Sequence, residues 1–244
     1  MANVEYYAKL KIKNDQLPRF KRHVDAVVSA ANAVDAATLR CDWFINEDKK
    51  EAVAMVVHRD EAAMLAHHAV AGSHYEALAD CSSGALDFFG DPVAVVVKAM
   101  SRFNPRVLKF AYGLNATSTS IHAALTNKSR GIEIYSRFTI HAGHFDACKA
   151  VGAALIPIVS SKDPGTTRYD WFYDEASLQC VAIDAYLDTP SMFAHMKNAH
   201  DVHEELFEHS TMLTEFLGEL PEAAQAAVAR YDPYILPLYA GMKR

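Results

Sequence analysis

The segment Asp184-x-Tyr186-x-Asp188-x-x-x-Met192-x-Ala194-His195 brings a carboxylate, a phenol and an imidazole into one short stretch. Residues two apart on a strand share a face, so Asp184 and Tyr186 point the same way. His195 belongs to a following helix, in a stripe with Met192, Ala199, Val202 and Leu206 at spacings of three and four. The rest of that stripe is apolar, which turns the imidazole toward the sheet. A neutral imidazole in such a place is a general base. Asp184 would orient it, and Tyr186 would position a substrate oxygen. The competing reading is a core histidine with a strand partner beside a structural Tyr–Asp contact.

A weaker version of the pattern stands earlier in the chain. Asp60, Met64, Ala66 and His67 repeat it, while Val56 and His58 replace the carboxylate and the phenol. The stripe there is Met64, His67, Ala71, His74 and Leu78. His74 stands where the later stripe has Val202, and the extra polarity favours a pocket over a dry core. His58, His67 and His74 are therefore candidate ligand contacts. Trp43 and Trp171 join them as core residues or flat walls for an aromatic ligand.

Arg40, Asp42 and Phe44 share one strand face, and Arg168, Asp170 and Phe172 share another. The favoured reading is structural, with Arg–Asp pairs serving an interface. The later helix also carries His195, His200, His203 and His209. At about 100° per residue, the first three fall at about 0°, 140° and 80°, too spread for three metal ligands from one helix. The i, i+4 pair of a zinc helix is absent. No metal site is expected, and most of these histidines are expected at the surface. One of them, or His74, remains a possible axial haem ligand. No glycine-rich phosphate loop or G-x-S-x-G elbow is present.

These groups are placed by a repeat. The windows Thr38-Leu-Arg-Cys-Asp-Trp-Phe44 and Thr166-Thr-Arg-Tyr-Asp-Trp-Phe172 agree at five of seven positions, 128 residues apart. The same offset aligns 5–114 with 133–242 and pairs Asp60 with Asp188, His67 with His195, Gly90 with Gly218 and Arg102 with Arg230. A long period with two copies is a duplicated domain. The units are 1–115 and 131–244, joined by a linker at 116–130 that follows Asn115 and is rich in Ser and Thr at its start.

Alternation over 4–13 and 132–141 predicts a strand. Helices are expected over 15–33 and 143–160, the second ended or kinked by Pro157. Strands follow at 37–46 and 165–174, then at 51–59 and 179–187. Asp60 and Asp188 cap long helices reaching about 80 and 208. Short strands ending at Gly90 and Gly218, helices over 92–102 and 220–230, and last strands ending at Gly113 and Gly241 complete each unit. The order is βαββαβ followed by αβ, an α+β, ferredoxin-like pattern. One sheet face carries helices and the other needs cover, so the two sheets are expected to face each other as an internal pseudo-dimer.

The strand order and the Asp-x-Tyr-x-Asp…His pattern resemble the antibiotic biosynthesis monooxygenase (ABM) superfamily of dimeric α/β-barrel proteins, once per unit. Most relatives are single units that pair sheet to sheet. The resemblance implies a pocket between sheet and helices and a monooxygenase that needs no cofactor. Its substrate would be a small phenolic, quinol-type or polyketide-like aromatic molecule. Other members bind or degrade haem, and some have no known activity, which leaves haem binding or non-catalytic ligand binding as alternatives.

Composition bounds the rest. The chain has 244 residues, 51% of them hydrophobic and 22% charged, with a net charge of −6. That is enough apolar material for a real core and excludes a disordered chain. A mildly acidic chain is a poor nucleic-acid binder. No apolar run reaches the roughly 18 residues of a membrane span, and no secretory signal is visible. Four cysteines, Cys41, Cys81, Cys148 and Cys180, form no C-x-x-C pair. A cytoplasmic location with free thiols is expected, with further homo-oligomerisation left open.

Overall fold

A computed structural model describes residues 3–34, 37–114 and 131–242. The expected linker at 116–130 lies outside the described residues. The chain divides into two compact units, Met1–Val107 with Leu236–Arg244, and Leu108–Ile235.

In the first unit, β1 (Val4–Ile12) leads into α1 (Leu17–Val34), β2 (Thr38–Asn46), β3 (Glu51–His58), α2 (Glu61–Cys81) and β4 (Ser82–Phe89). A short α3 (Ala94–Ala99) and a 3-10 turn at Ser101–Phe103 follow, after which the chain crosses into the second unit along β5 (Pro105–Gly113). The sheet order is β4-β1-β3-β2, antiparallel throughout. Its further edge is β11 (Leu238–Ala240), which pairs antiparallel with β2.

The second unit repeats the pattern. It contains β6 (Ile132–Ile140), α4 (Phe145–Lys162), β7 (Thr166–Asp174) and β8 (Gln179–Tyr186). It continues with α5 (Thr189–Asn198), α6 (His200–His209), β9 (Ser210–Leu217), α7 (Glu222–Val228), a 3-10 turn at Ala229–Tyr231 and β10 (Tyr234–Leu236). The order here is β10-β9-β6-β8-β7-β5, with β5 antiparallel to β7. Each sheet thus takes one strand from the tail of the other sequence copy. Pro237, which has no N–H to donate, separates β10 from β11, while its carbonyl accepts from Ile45.

Local chemistry explains the element ends. Asp60 Oδ1 accepts from Ala63 N at 2.8 Å, and Asp188 Oδ1 from Ser191 N at 2.9 Å, so both aspartates cap their helices. Asn46 and Asp174 side chains accept backbone N–H groups in the two hairpin turns. Pro157 does not end α4, which runs on to Lys162. The carbonyl that loses its partner is that of Ala153, and both residues lie on the solvent side, where water can satisfy it. On its other side α4 comes close to the sheet at Gly152. A Cβ there would lie 2.4 Å from Tyr112 Oη and 3.3 Å from Trp171 Cε3.

The second long helix departs from expectation. In the first unit α2 is continuous, but its counterpart breaks at Ala199, with φ −98° and ψ −2°, into α5 and α6. The break follows Asn198, whose side chain is held by Asp163 just past the end of α4. The C-terminal helices are also shorter than expected, ending in 3-10 turns.

Candidate functional site

The two units bury their helix-facing sheet surfaces differently. In the first, one continuous cluster joins Tyr6, Leu10, Trp43, Met64, Tyr75, Leu78, Phe88 and Met100. The residues 128 positions on fall into two clusters. Phe138, Trp171 and Leu206 belong to one. Ile134, Met192, Phe216 and Val228 belong to the other. Between them lies a cavity of about 490 Å³, lined from both sides. The substitutions that open it are legible. Ile134 stands for Tyr6, His203 for Tyr75 and Thr214 for Leu86.

His195, Tyr186, Asp184 and Trp171 all line this cavity. The His195 ring lies 5.4 Å from that of Tyr186 and 5.1 Å from that of Tyr169. The carboxylate that orients His195 is not Asp184 but Asp163: His195 Nδ1 and Asp163 Oδ2 are 2.9 Å apart, with both side chains buried. Asp163 Oδ1 also accepts from Asn198 Nδ2 at 2.6 Å. Because a carboxylate only accepts, Nδ1 carries the proton and Nε2 keeps its lone pair. Burial pulls the His195 pKa down, opposed by Asp163. The ring is neutral at neutral pH, as a base requires.

Asp184 has a different environment. Its carboxyl is buried and its Oδ1 has no hydrogen-bond partner among the described residues. Burial and the nearby Asp170 raise its pKa to about 8, against the pull of Arg168 and the Tyr186 hydroxyl. It is therefore an acid at neutral pH, able to donate a hydrogen bond. The Tyr186 phenol is held protonated by burial and by Asp184. The site thus combines an imidazole base with two neutral oxygen acids in an aromatic wall.

His203 and His200 also line the cavity; His200 is exposed, in keeping with the surface expectation for most of these histidines, whereas His203 is half-buried. The His203 ring lies 5.3 Å from that of His195, much as Tyr75 lies 5.9 Å from His67 at the same spacing on the unbroken α2. Burial and the neighbouring His195 push the His203 pKa down to about 3. His209 instead meets His144, with their Nδ1 atoms 2.9 Å apart.

The candidates of the first unit are bound up in its core. His67 Nε2 lies 3.1 Å from Tyr75 Oη, which is 3.1 Å from Tyr6 Oη. His58 Nδ1 meets Thr38 Oγ1 at 3.2 Å, and its ring is 5.3 Å from that of His67. Burial pushes both histidines down, His58 to about 3 and His67 to about 4. Trp43 is buried against Phe20. His74 faces away from this group, to His23 on α1 at 3.2 Å. The polarity of that stripe therefore reflects a helix–helix contact rather than a pocket wall.

Arg40 Nε bonds Asp42 Oδ2 at 2.9 Å, and Arg168 Nε bonds Asp170 Oδ2 at 2.8 Å. All four side chains are buried, on the sheet faces opposite the tryptophans. Asp163 had one available sequence signal: Asp35 stands at the matching position of the first copy, 128 residues earlier. Asp35 lies outside the described residues.

With the geometry established, comparison with known proteins places the architecture. No protein-family model matches the sequence, and no curated protein sequence matches it significantly. Solved structures do. A candidate monooxygenase from Fusobacterium nucleatum matches with a TM-score of 0.58 at 10% identity, over 87% of this chain and 90% of that one. Another from Lactobacillus acidophilus matches with a TM-score of 0.54 at 10% identity, over 88% and 92%. An anthrone oxidase-like protein matches with a TM-score of 0.50 at 7% identity, over 99% and 93%. At such identities the likeness is one of fold. It shows an α+β, ferredoxin-like fold shared with these proteins.

Proposed function

We propose that the second unit is a cofactor-independent monooxygenase site for a small phenolic or quinol-type aromatic molecule. The observation that carries this reading is the His195–Asp163 pair on the wall of the 490 Å³ cavity. The volume suits a ligand of two or three fused rings, and Trp171, Tyr169 and Phe216 offer flat or apolar wall. His195 Nε2 takes a proton from the substrate. Tyr186 donates to Asp184, and the protonated Asp184 donates a hydrogen bond to the oxygen on which the charge spreads. The electron-rich anion then reduces dioxygen and forms a C–O bond. The peroxide takes back a proton and loses water, leaving a carbonyl. Dioxygen is the oxidant, and one of its atoms leaves as water. The first unit serves as scaffold in this reading.

The same cavity without turnover would be a binding site, and His203 makes haem the other candidate ligand, since a neutral imidazole there could ligate iron. Two measurements separate these readings. Oxygen uptake with a panel of quinols and anthrones, lost in His195→Ala, supports the oxygenase. Uptake unchanged in His195→Ala removes the assigned base. A haem Soret shift that disappears in His203→Ala moves the assignment to haem. Among the described residues no helix is long and apolar enough to cross a membrane. The four buried free thiols suit a reducing compartment, in keeping with a cytoplasmic place of action.

A further inference from the structure

The deep wall of the cavity and its mouth differ in charge. His195, Asp184, Tyr186 and Thr214 are buried, whereas Lys197, His200 and Arg230 line the cavity and are also exposed to solvent. They flank the break at Ala199 and the 3-10 turn after α7, so these segments frame the mouth. The carboxylates beside them point outward. Glu204 meets Arg230 at 3.3 Å and Asp201 meets His200 at 3.2 Å, and neither lines the cavity. A cationic rim on a chain of net charge −6 runs against the general field of the molecule. A cleft with low-dielectric walls concentrates such a local potential on whatever enters.

Resting on the reading of this cavity as a ligand site, we infer that its ligand is an aromatic molecule with an anionic arm, a carboxylate or its equivalent, held at the mouth by Lys197 and Arg230. The two ends of the site then set the orientation. The apolar rings fill the space beside Trp171, a neutral oxygen reaches Asp184 and His195, and the anion stays at the solvent edge. There it keeps part of its hydration and is not desolvated among apolar side chains. Arg230 exchanges its exposed contact with Glu204 for the ligand, a cheap exchange because an exposed ion pair holds little free energy. An anion in the reverse orientation would sit against Asp184, which burial already disfavours as a charge.

The test compares 2-naphthol with 6-hydroxy-2-naphthoate, whose hydroxyl and carboxylate lie at opposite ends of the rings, on the intact protein, read by quenching of Trp171 fluorescence in a Trp43→Phe background. The naphthoate is expected to bind about tenfold more tightly at low ionic strength. That preference should shrink severalfold in about 0.5 M salt. It should also shrink in the double variant Lys197→Gln, Arg230→Gln, with naphthol affinity unchanged. Equal binding of the two ligands, or a preference that survives the double variant, overturns the anionic arm and leaves the cavity reading standing. If neither ligand binds, the cavity reading and this inference fall together.

Discussion

His195 Nδ1 lies 2.9 Å from Asp163 Oδ2, at the point where the end of α4 meets α5. The contact joins two helices and fixes a tautomer in one interaction. It also sets which nitrogen faces a ligand. Asp163 Oδ1 is occupied by Asn198, so the carboxylate is fully engaged and cannot turn.

Asp163→Asn therefore conflicts with one of its two donors. An amide has one acceptor oxygen and one donor nitrogen, so either Asn198 or His195 faces an N–H. Loss of the imposed tautomer is expected to lower turnover by about 10²–10⁴-fold. Stability should fall by only about 1–3 kcal/mol. Oxygen uptake beside thermal unfolding separates the two effects. A rate within twofold of wild type would remove Asp163 from the mechanism.

Stability should depend on pH in a way that Asp184 makes visible. Its folded pKa of about 8 lies above the unfolded carboxylate range. Between those values the unfolded chain has released a proton that the native chain retains, so stability falls as pH rises toward 8. Asp184→Asn keeps the shape and removes the titration. It should gain about 1–3 kcal/mol over wild type at pH 8 and lose that advantage near pH 4. Urea midpoints measured across that range test the sign.

The buried histidines act at the other end. His58 and His203 are pushed down to about 3 and His67 to about 4, all below the unfolded value. Above pH 6.5 both states are neutral and contribute no slope. Below it the unfolded chain takes up protons first, so stability drops toward pH 4. His58→Gln should reduce that drop by about 1–2 kcal/mol. An acid limb unchanged in this variant would show that His58 already titrates normally in the native chain.

Much of the fold was readable because two copies tested each other. The offset between Trp43 and Trp171 aligned every strand of the ferredoxin-like pattern, and Asp60 and Asp188 marked their helix starts. Periodicity also placed His195 toward the sheet. The partner of His195 was not readable, because Asp163 is brought to it by the packing of α4 against α5, 32 residues away in sequence. The break at Ala199 was hidden for the same reason. Its anchor, Asn198, looks like an ordinary helix residue until Asp163 stands beside it. Strand exchange left no local mark either, since β5 and β11 read as strands whichever sheet they join.

A last prediction concerns the residues that distinguish the second unit at this cavity. Tyr6 and Tyr75 in the first unit correspond to Ile134 and His203 in the second, and the two hydroxyls lie 3.1 Å apart within a continuous core. Tyr75 also satisfies His67. The pair Ile134→Tyr, His203→Tyr transplants that arrangement onto a backbone of the same pattern, with His195 in the place of His67. The added rings should fill the space between the two clusters and abolish ligand binding, because a ligand and the tyrosines would need the same volume. Filling a cavity adds contacts without exposing new surface, so the double variant should unfold at the wild-type temperature or above, with a gain of about 1–2 kcal/mol. Binding stoichiometry gives the second readout: one aromatic ligand per wild-type chain by calorimetry, and none in the variant. A stable variant that still binds one ligand would place the site outside this cavity, and a wild-type stoichiometry of two would show that the first unit opens to admit one as well.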